Sequence, residues 1–111
     1  IKINTIKQNH GVIDTLGFIF NNVFAYCTDV VGFPEKSFKY LHNMKVLIIT
    51  GLRQSPHTAH AHFDLSFDWI TKLKPQVAYL THLSPESDHD EVTKLCPPNT
   101  YPAYDGLILD I

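Results

Sequence analysis

Two continuous apolar runs constrain the fold of this chain more than any other feature. Residues 45–50 (KVLIIT) and 76–81 (QVAYLT) do not alternate apolar with polar side chains. Such runs are typical of strands covered on both faces, as in a parallel sheet flanked by helices. Between them, Phe63, Phe67 and Ile70 recur at helical spacing, which predicts an amphipathic helix over residues 63–74. The order strand, helix, strand predicts an α/β layer structure.

The rest of the chain extends this pattern on both sides. Further strands are predicted over residues 1–9, 13–20, 23–28 and 106–111. A helix is predicted over 34–42, beginning at a proline, and a second from a capping box at Ser87 to about Cys96. The Gly, Pro and His residues of 51–61 indicate an exposed loop. We therefore expect one domain over residues 1–111, with α/β or α+β layers and helices on one face of the sheet.

Composition excludes several classes of function. The net charge of −2 and the scattered lysines make a nucleic-acid partner improbable. The longest apolar runs have about five residues, far fewer than the roughly 20 that cross a bilayer, so no membrane segment is expected. Cys27 and Cys96 are too few for a disulfide framework and lie in no CxxC motif. These features predict a cytoplasmic protein.

Three potential metal ligands follow three of the predicted strands. His10, Asp29 and His82 each come at or just after a strand end. In open α/β sheets, ligands bind beyond the carboxyl ends of strands, so these side chains are candidates for one site. Imidazole and carboxylate groups suit Zn²⁺ and also accept Mn²⁺ or Fe²⁺. Each residue alone is better explained as a turn, hydrogen-bonding or helix-capping residue, and the coincidence of three strand ends leaves both interpretations open.

An ordered series of motifs resembles the metallo-β-lactamase superfamily, most closely the branch that contains the phosphonate-pathway cyclic phosphodiesterase. The motifs are, in order, NHG at 9–11, VFAYCTDVVGFPEKSFKYLHN at 23–43, HFDLSFDWI at 62–70, VAYLTHLS at 77–84 and YDGLILDI at 104–111. The resemblance covers almost the whole chain and implies a metal-dependent hydrolase, most plausibly a phosphodiesterase acting on a small-molecule phosphoester.

The resemblance also implies roles for individual residues. His10 matches a ligand of a first metal, Asp29 an aspartate that bridges two metals, and His82 a ligand of the second metal. His62 matches a histidine that acts as an acid or contacts the substrate. Two divalent ions, Zn or Mn, would share a hydroxide that attacks phosphorus.

The signature H-x-H-x-D-H of that superfamily is absent from the 111 residues. We therefore expect the C-terminal half of an αββα sandwich, a fragment that binds metal weakly or not at all and is inactive alone. A homodimer or the missing N-terminal half would cover its bare sheet face. The alternative is a degenerate, non-catalytic module that binds a partner. A third interpretation is a metal-storage tract formed by His57, His60 and His62.

Overall fold

The computed structural model describes the whole chain, residues 1–111, as one sheet with three helices. The strands are β1 (Ile3–His10), β2 (Ile13–Phe20), β3 (Phe24–Cys27), β4 (Val46–Thr50), β5 (Val77–Thr81) and β6 (Thr100–Pro102). The helices are α1 (Glu35–Lys39), α2 (Phe63–Leu73) and α3 (His89–Leu95). None of the helices is long and apolar enough to cross a membrane.

The sheet is mixed, and its strands follow one another in chain order from β1 to β6. The pairs β1–β2 and β2–β3 are antiparallel, whereas β3 to β6 are parallel and joined through the three helices. Parallel crossovers are right-handed. Because each crossover steps in the same direction along the sheet, all three helices fall on the same face. This confirms the predicted α/β class with helices on one side.

The helix-covered face of the sheet forms the core. Its apolar side chains are nearly inaccessible and share one cluster with side chains from α2, α3 and the segment after α1. The sheet contributes Ile6, Ile19, Ala25, Cys27, Leu47, Ile49, Ala78 and Leu80. The helical layer contributes Leu41, Phe63, Trp69, Ile70, Leu73 and Val92. Burying this many apolar side chains is the main favourable term available to the fold.

The opposite face of the sheet is apolar and partly bare. Register places Phe18 opposite Tyr26, Tyr26 opposite Ile48, and Tyr79 opposite Tyr101, so one row of large side chains crosses the sheet. The exposed fractions are 37% for Phe18, 39% for Tyr26 and 45% for Tyr101. No helix packs on this row. The predicted exposed apolar face of the sheet is therefore present.

Three local predictions need correction. Residues 106–111 form no strand, because the apolar run finds no neighbouring strand; Ile108 is 87% exposed and β6 occupies the sheet edge instead. The cap of α3 is Asp88, whose carboxylate accepts the Glu91 N–H at 3.0 Å, and not Ser87. The loop 51–61 is not fully exposed, since Gly51 and Ala61 are buried at its two ends.

Candidate metal centre

Three strands of common direction bring the predicted ligands to one edge of the sheet. His10 is the last residue of β1, Asp29 comes two residues after β3, and His82 directly follows β5. Since β1, β3 and β5 run the same way, their carboxyl ends meet at this edge. The structure thus brings together the three residues that the sequence singled out, and their role as metal ligands stays a prediction.

His60, from the loop between β4 and α2, lies among these three residues. Its ring centroid is 4.6 Å from that of His10 and 4.6 Å from that of His82. Its Nδ1 is 3.8 Å from Oδ1 of Asp29, and Nδ1 of His82 is 3.6 Å from the same oxygen. One ligand atom each of His10, Asp29 and His60 lie within 4.8 Å of one another. Two opposed metal–ligand bonds span about 4–4.4 Å, so small side-chain movements would bring all three onto one ion.

Backbone hydrogen bonds hold the loops that carry these residues. Val31 N–H donates to the carbonyl of Asn9 at 2.8 Å, which ties the segment after Asp29 to the end of β1. Ala61 N–H donates to the carbonyl of Val30 at 2.7 Å, which ties the His60 loop to the same segment. Gly51 N–H donates to the carbonyl of Thr81 at 2.9 Å, next to His82. The edge is therefore a connected framework of loops.

The hydrogen bond of His10 determines which of its two ring nitrogens carries the proton. Nδ1 of His10 lies 2.7 Å from the carbonyl oxygen of Ala59. A carbonyl only accepts, so Nδ1 carries the proton and Nε2 of the neutral ring keeps a free lone pair. Metal-binding histidines in proteins typically donate their second N–H to such an acceptor. His10 therefore has the tautomer that a ligand needs.

Burial and neighbouring imidazoles favour the neutral form of His60. Its pKa is lowered from the ordinary value of 6.5, chiefly because burial desolvates the ring and next because His82 and His10 lie close, while Asp29 opposes the shift. The Nδ1 atom of His60 is buried and has no hydrogen-bond partner. An unpartnered buried nitrogen is costly in a folded protein. A neutral ring with a free lone pair, beside a carboxylate, is the donor set that a divalent metal requires.

The side chains of buried Gln8 and half-buried Thr15 hold the backbone next to Asp29 in place. Nε2 of Gln8 donates to the carbonyl of Thr28 at 2.9 Å and to Oγ1 of Thr15 at 3.2 Å. Oγ1 of Thr15 in turn donates to the backbone carbonyl of Asp29 at 2.7 Å. Gly17 leaves room for this arrangement, because a Cβ there would lie 2.5 Å from Oε1 of Gln8. Gln8 is fully buried, so its side of this arrangement is part of the core.

Two of the candidate ligands adopt left-handed backbone conformations. The φ angles are 55° for Asp29 and 59° for His82. Residues other than glycine rarely take this conformation, although Asn, Asp and His tolerate it better than most. Both residues lie where a strand ends, and the left-handed turn directs the chain away at once. Backbone of this kind clusters at ligand-binding sites.

The structure places His62 outside this group. His62 is the N-cap of α2, its side chain makes no capping hydrogen bond, and its carbonyl accepts the N–H of Ser66. His60, two residues earlier in the chain, is the histidine that lies next to His10, Asp29 and His82, and the catalytic role of His62 stays a prediction. The other member of the tract, His57, accepts backbone N–H groups of Ala59 and His60 with its Nδ1. Of the three histidines of the predicted storage tract, only His60 is grouped with other candidate ligands.

Comparison with known proteins identifies the superfamily and the fold. The family model described as the beta-lactamase superfamily domain matches residues 1–83. The chain belongs to the beta-lactamase superfamily. A solved structure described as a new diphosphatase from the PhnP family is 32% identical, with a TM-score of 0.94 over 99% of this chain. The metallo-beta-lactamase fold protein YhfI from Bacillus subtilis is 16% identical, with a TM-score of 0.70 over 95% of this chain, and supports the fold.

The chain spans less than half of these two structures, 43% of the diphosphatase and 47% of YhfI. The match to the superfamily model ends at residue 83, so the matched range contains His10, Asp29, His60 and His82. No curated protein sequence matches the chain. Superfamily membership and the one-sided sheet together identify this chain as corresponding to part of a metallo-β-lactamase fold.

Proposed function

We propose that this chain supplies part of the two-metal site of a phosphoester hydrolase. The observation that carries the proposal is the convergence of His10, Asp29, His60 and His82 at one sheet edge. The similar structure described as a diphosphatase supports a phosphorus-centred reaction. The substrate would be a small molecule with a phosphodiester or diphosphate bond.

The donor set suits divalent ions such as Zn²⁺ or Mn²⁺. His10, Asp29 and His60 would hold one ion, and Asp29 with His82 would contribute to a second. Bound there, such ions would activate water and stabilise negative charge on the phosphate oxygens. His82 and Asp29 keep 41% and 46% of their side-chain surface exposed, so a substrate can approach from solvent.

The chain's own residues would orient the site rather than move protons through it. Ala59 holds the ring of His10, and Gln8 with Thr15 holds the backbone around Asp29. His60, kept neutral by its lowered pKa, would bind a metal or accept a proton, and would not serve as the acid that was predicted for His62. Buried and half-buried groups would thus position the ligands, and the more exposed edge would remain for the substrate.

Completion of the site requires further ligands. Catalytic zinc sites normally use three protein ligands for each metal, and the second metal has only Asp29 and His82 here. We propose that a further segment of a longer polypeptide, like the part of its relatives that the chain does not span, packs on the row of Phe18, Tyr26 and Tyr101 and supplies them. The isolated chain would then bind metal weakly and lack activity. Both cysteines are free, which agrees with a reducing cytoplasm as the compartment.

Metal titration of two matched alanine variants tests the ligand set. His60→Ala should weaken Zn²⁺ or Mn²⁺ binding at least tenfold by calorimetry, whereas His62→Ala, two residues away, should leave it unchanged. The reverse order would refute the placement of His60 in the site. Two tightly held ions in each isolated chain would refute the need for another segment.

The coding sequence upstream of Ile1 provides a separate test of the hydrolase proposal. If the coding sequence before Ile1 contains H-x-H-x-D-H, the longer product should hydrolyse bis(p-nitrophenyl) phosphate when loaded with Mn²⁺, and His82→Ala should abolish that activity. A longer product with two bound metals and no phosphoesterase activity would favour the non-catalytic module instead.

A further inference from the structure

A cavity lies at the far end of β1 from the metal centre. It has a volume of about 740 Å³ and is lined by residues of β1, β2, α1 and the segment after α1. Lys2 precedes β1 and Asn4 is near its start, whereas His10 is its last residue, and eight extended residues span roughly 26 Å. Ile6 and Ile19 form part of its floor, and both belong to the helix-covered face of the sheet. A segment that covered the bare face would therefore leave this cavity open.

The charges around this cavity have one sign. Lys2, Lys36 and Lys39 line it together with His42, and no Asp or Glu is among the lining residues. Three of the nine Lys and Arg residues of a chain with net charge −2 thus surround one cavity. None of these lysines takes part in an ion pair, whereas Lys7 and Lys72 each pair with an aspartate. Unpaired cations around a concave surface concentrate field lines and attract anions.

The remaining lining residues provide polar and apolar contacts. Nδ2 of Asn4 donates to Oδ1 of Asn22 at 3.2 Å, which joins the two strands at the rim. Ile6, Ile19 and Met44 are buried and give the cavity an apolar floor. Tyr40, at the edge of the cavity, is 59% exposed. A volume of this size matches a small-molecule site and exceeds what a single inorganic ion would fill.

We infer that this cavity binds an organic phosphate of nucleotide size. The lysines would contact the phosphate groups, while the floor and the Tyr40 ring would contact the organic part. Lysine is a common phosphate ligand and acts there as a point charge. Because the cavity is separate from the metal edge, binding would require no metal. The site would be independent of the proposed hydrolytic reaction.

Calorimetric titration of the EDTA-treated chain with adenosine 5′-diphosphate at low salt tests the inference. Lys36→Ala/Lys39→Ala should weaken binding by at least about tenfold, which is a loss of about 1.4 kcal/mol, because two charge-assisted phosphate contacts are removed. Alanine favours helices, so α1 should persist, as circular dichroism would verify. Lys72→Ala, which removes an exposed lysine on α2, is the matched control and should bind like the unmodified chain.

Two further measurements separate the alternatives. Inorganic diphosphate should bind more weakly than adenosine 5′-diphosphate, and equal affinity would refute a contact with the organic part. Backbone amide resonances of residues 36–42 should shift on titration, while those of residues 57–62 should not. Equal affinity of the double variant and the unmodified chain, or shifts confined to the His60 loop, would overturn the inference.

Discussion

Replacing Gln8 with leucine removes its hydrogen bonds to Thr28 and Thr15 while nearly conserving volume. The carbonyl of Thr28 and the hydroxyl of Thr15 then lose their shared donor, at 2.9 and 3.2 Å respectively. A buried polar group left without its partner costs about 1–3 kcal/mol. Leucine also removes Oε1 of Gln8, which has no partner in the native chain, and this offsets part of the loss. We expect Gln8→Leu to lower the free energy of unfolding by about 1–2 kcal/mol.

The same substitution should weaken metal binding, because the backbone of Asp29 loses its fixed position. Groups that orient a ligand without touching the metal typically contribute 10–100-fold to metal affinity. Urea denaturation of the metal-free chain and Mn²⁺ calorimetry measure the two effects separately. Gln76→Leu, at an exposed position, is the matched control and should change neither. If Gln8→Leu changes neither the free energy of unfolding nor the metal affinity, Gln8 does not position the backbone around Asp29.

Three further predictions follow from burial and charge. Burial raises the pKa of the Cys27 thiol to about 12, so a disulfide reagent at pH 8 should modify only Cys96 in the native chain; rapid reaction of a Cys96→Ser variant would contradict this. The pKa of His60 is lowered in the folded state, so below pH 6.5 the unfolded chain binds a proton more readily than the folded chain. The free energy of unfolding of the metal-free chain should therefore fall as the pH is lowered below 6.5. His60→Gln should reduce this loss of stability at low pH. If the urea midpoint of the variant falls between pH 7.5 and 5 as much as that of the unmodified chain, His60 is not the cause. Tyr26→Lys should reduce both self-association and the binding of a hydrophobic dye, because it places a charge on the exposed apolar face. If the unmodified chain is strictly monomeric and binds no dye, this face does not mediate association.

The sequence predicts the first five strands and all three helices because their patterns are strong. Residues 45–50 and 76–81 are apolar enough to require an interior position, and the apolar face of α2 must point towards the sheet. The last strand was misplaced because an apolar run needs a partner ladder to become a strand, and sequence does not reveal which edges are free. A short strand between prolines, Thr100–Pro102, carries little signal of its own.

The grouping of the candidate ligands could be predicted for residues at the ends of strands but not for the residue on a loop. His10, Asp29 and His82 follow strands, so direction and register determine where they meet. His60 depends on the path of residues 51–61, which backbone hydrogen bonds to the Val30 segment determine. The tract HTAHAH offered three histidines with no local pattern to choose among them. Gln8 and Thr15 gave no signal either, since a polar residue on a strand ordinarily faces solvent.

The left-handed backbone at Asp29 and His82 sets up a conflict between selection for folding and selection for activity. Glycine adopts this conformation without the penalty that other residues carry, roughly 1–2 kcal/mol. A library screened only for thermal resistance should therefore enrich Asp29→Gly and His82→Gly, and each such variant would lack a ligand. Stabilising this scaffold for use as a catalyst means excluding those two positions from randomisation and placing glycine instead at a left-handed residue away from the site, such as Lys74 (φ 53°).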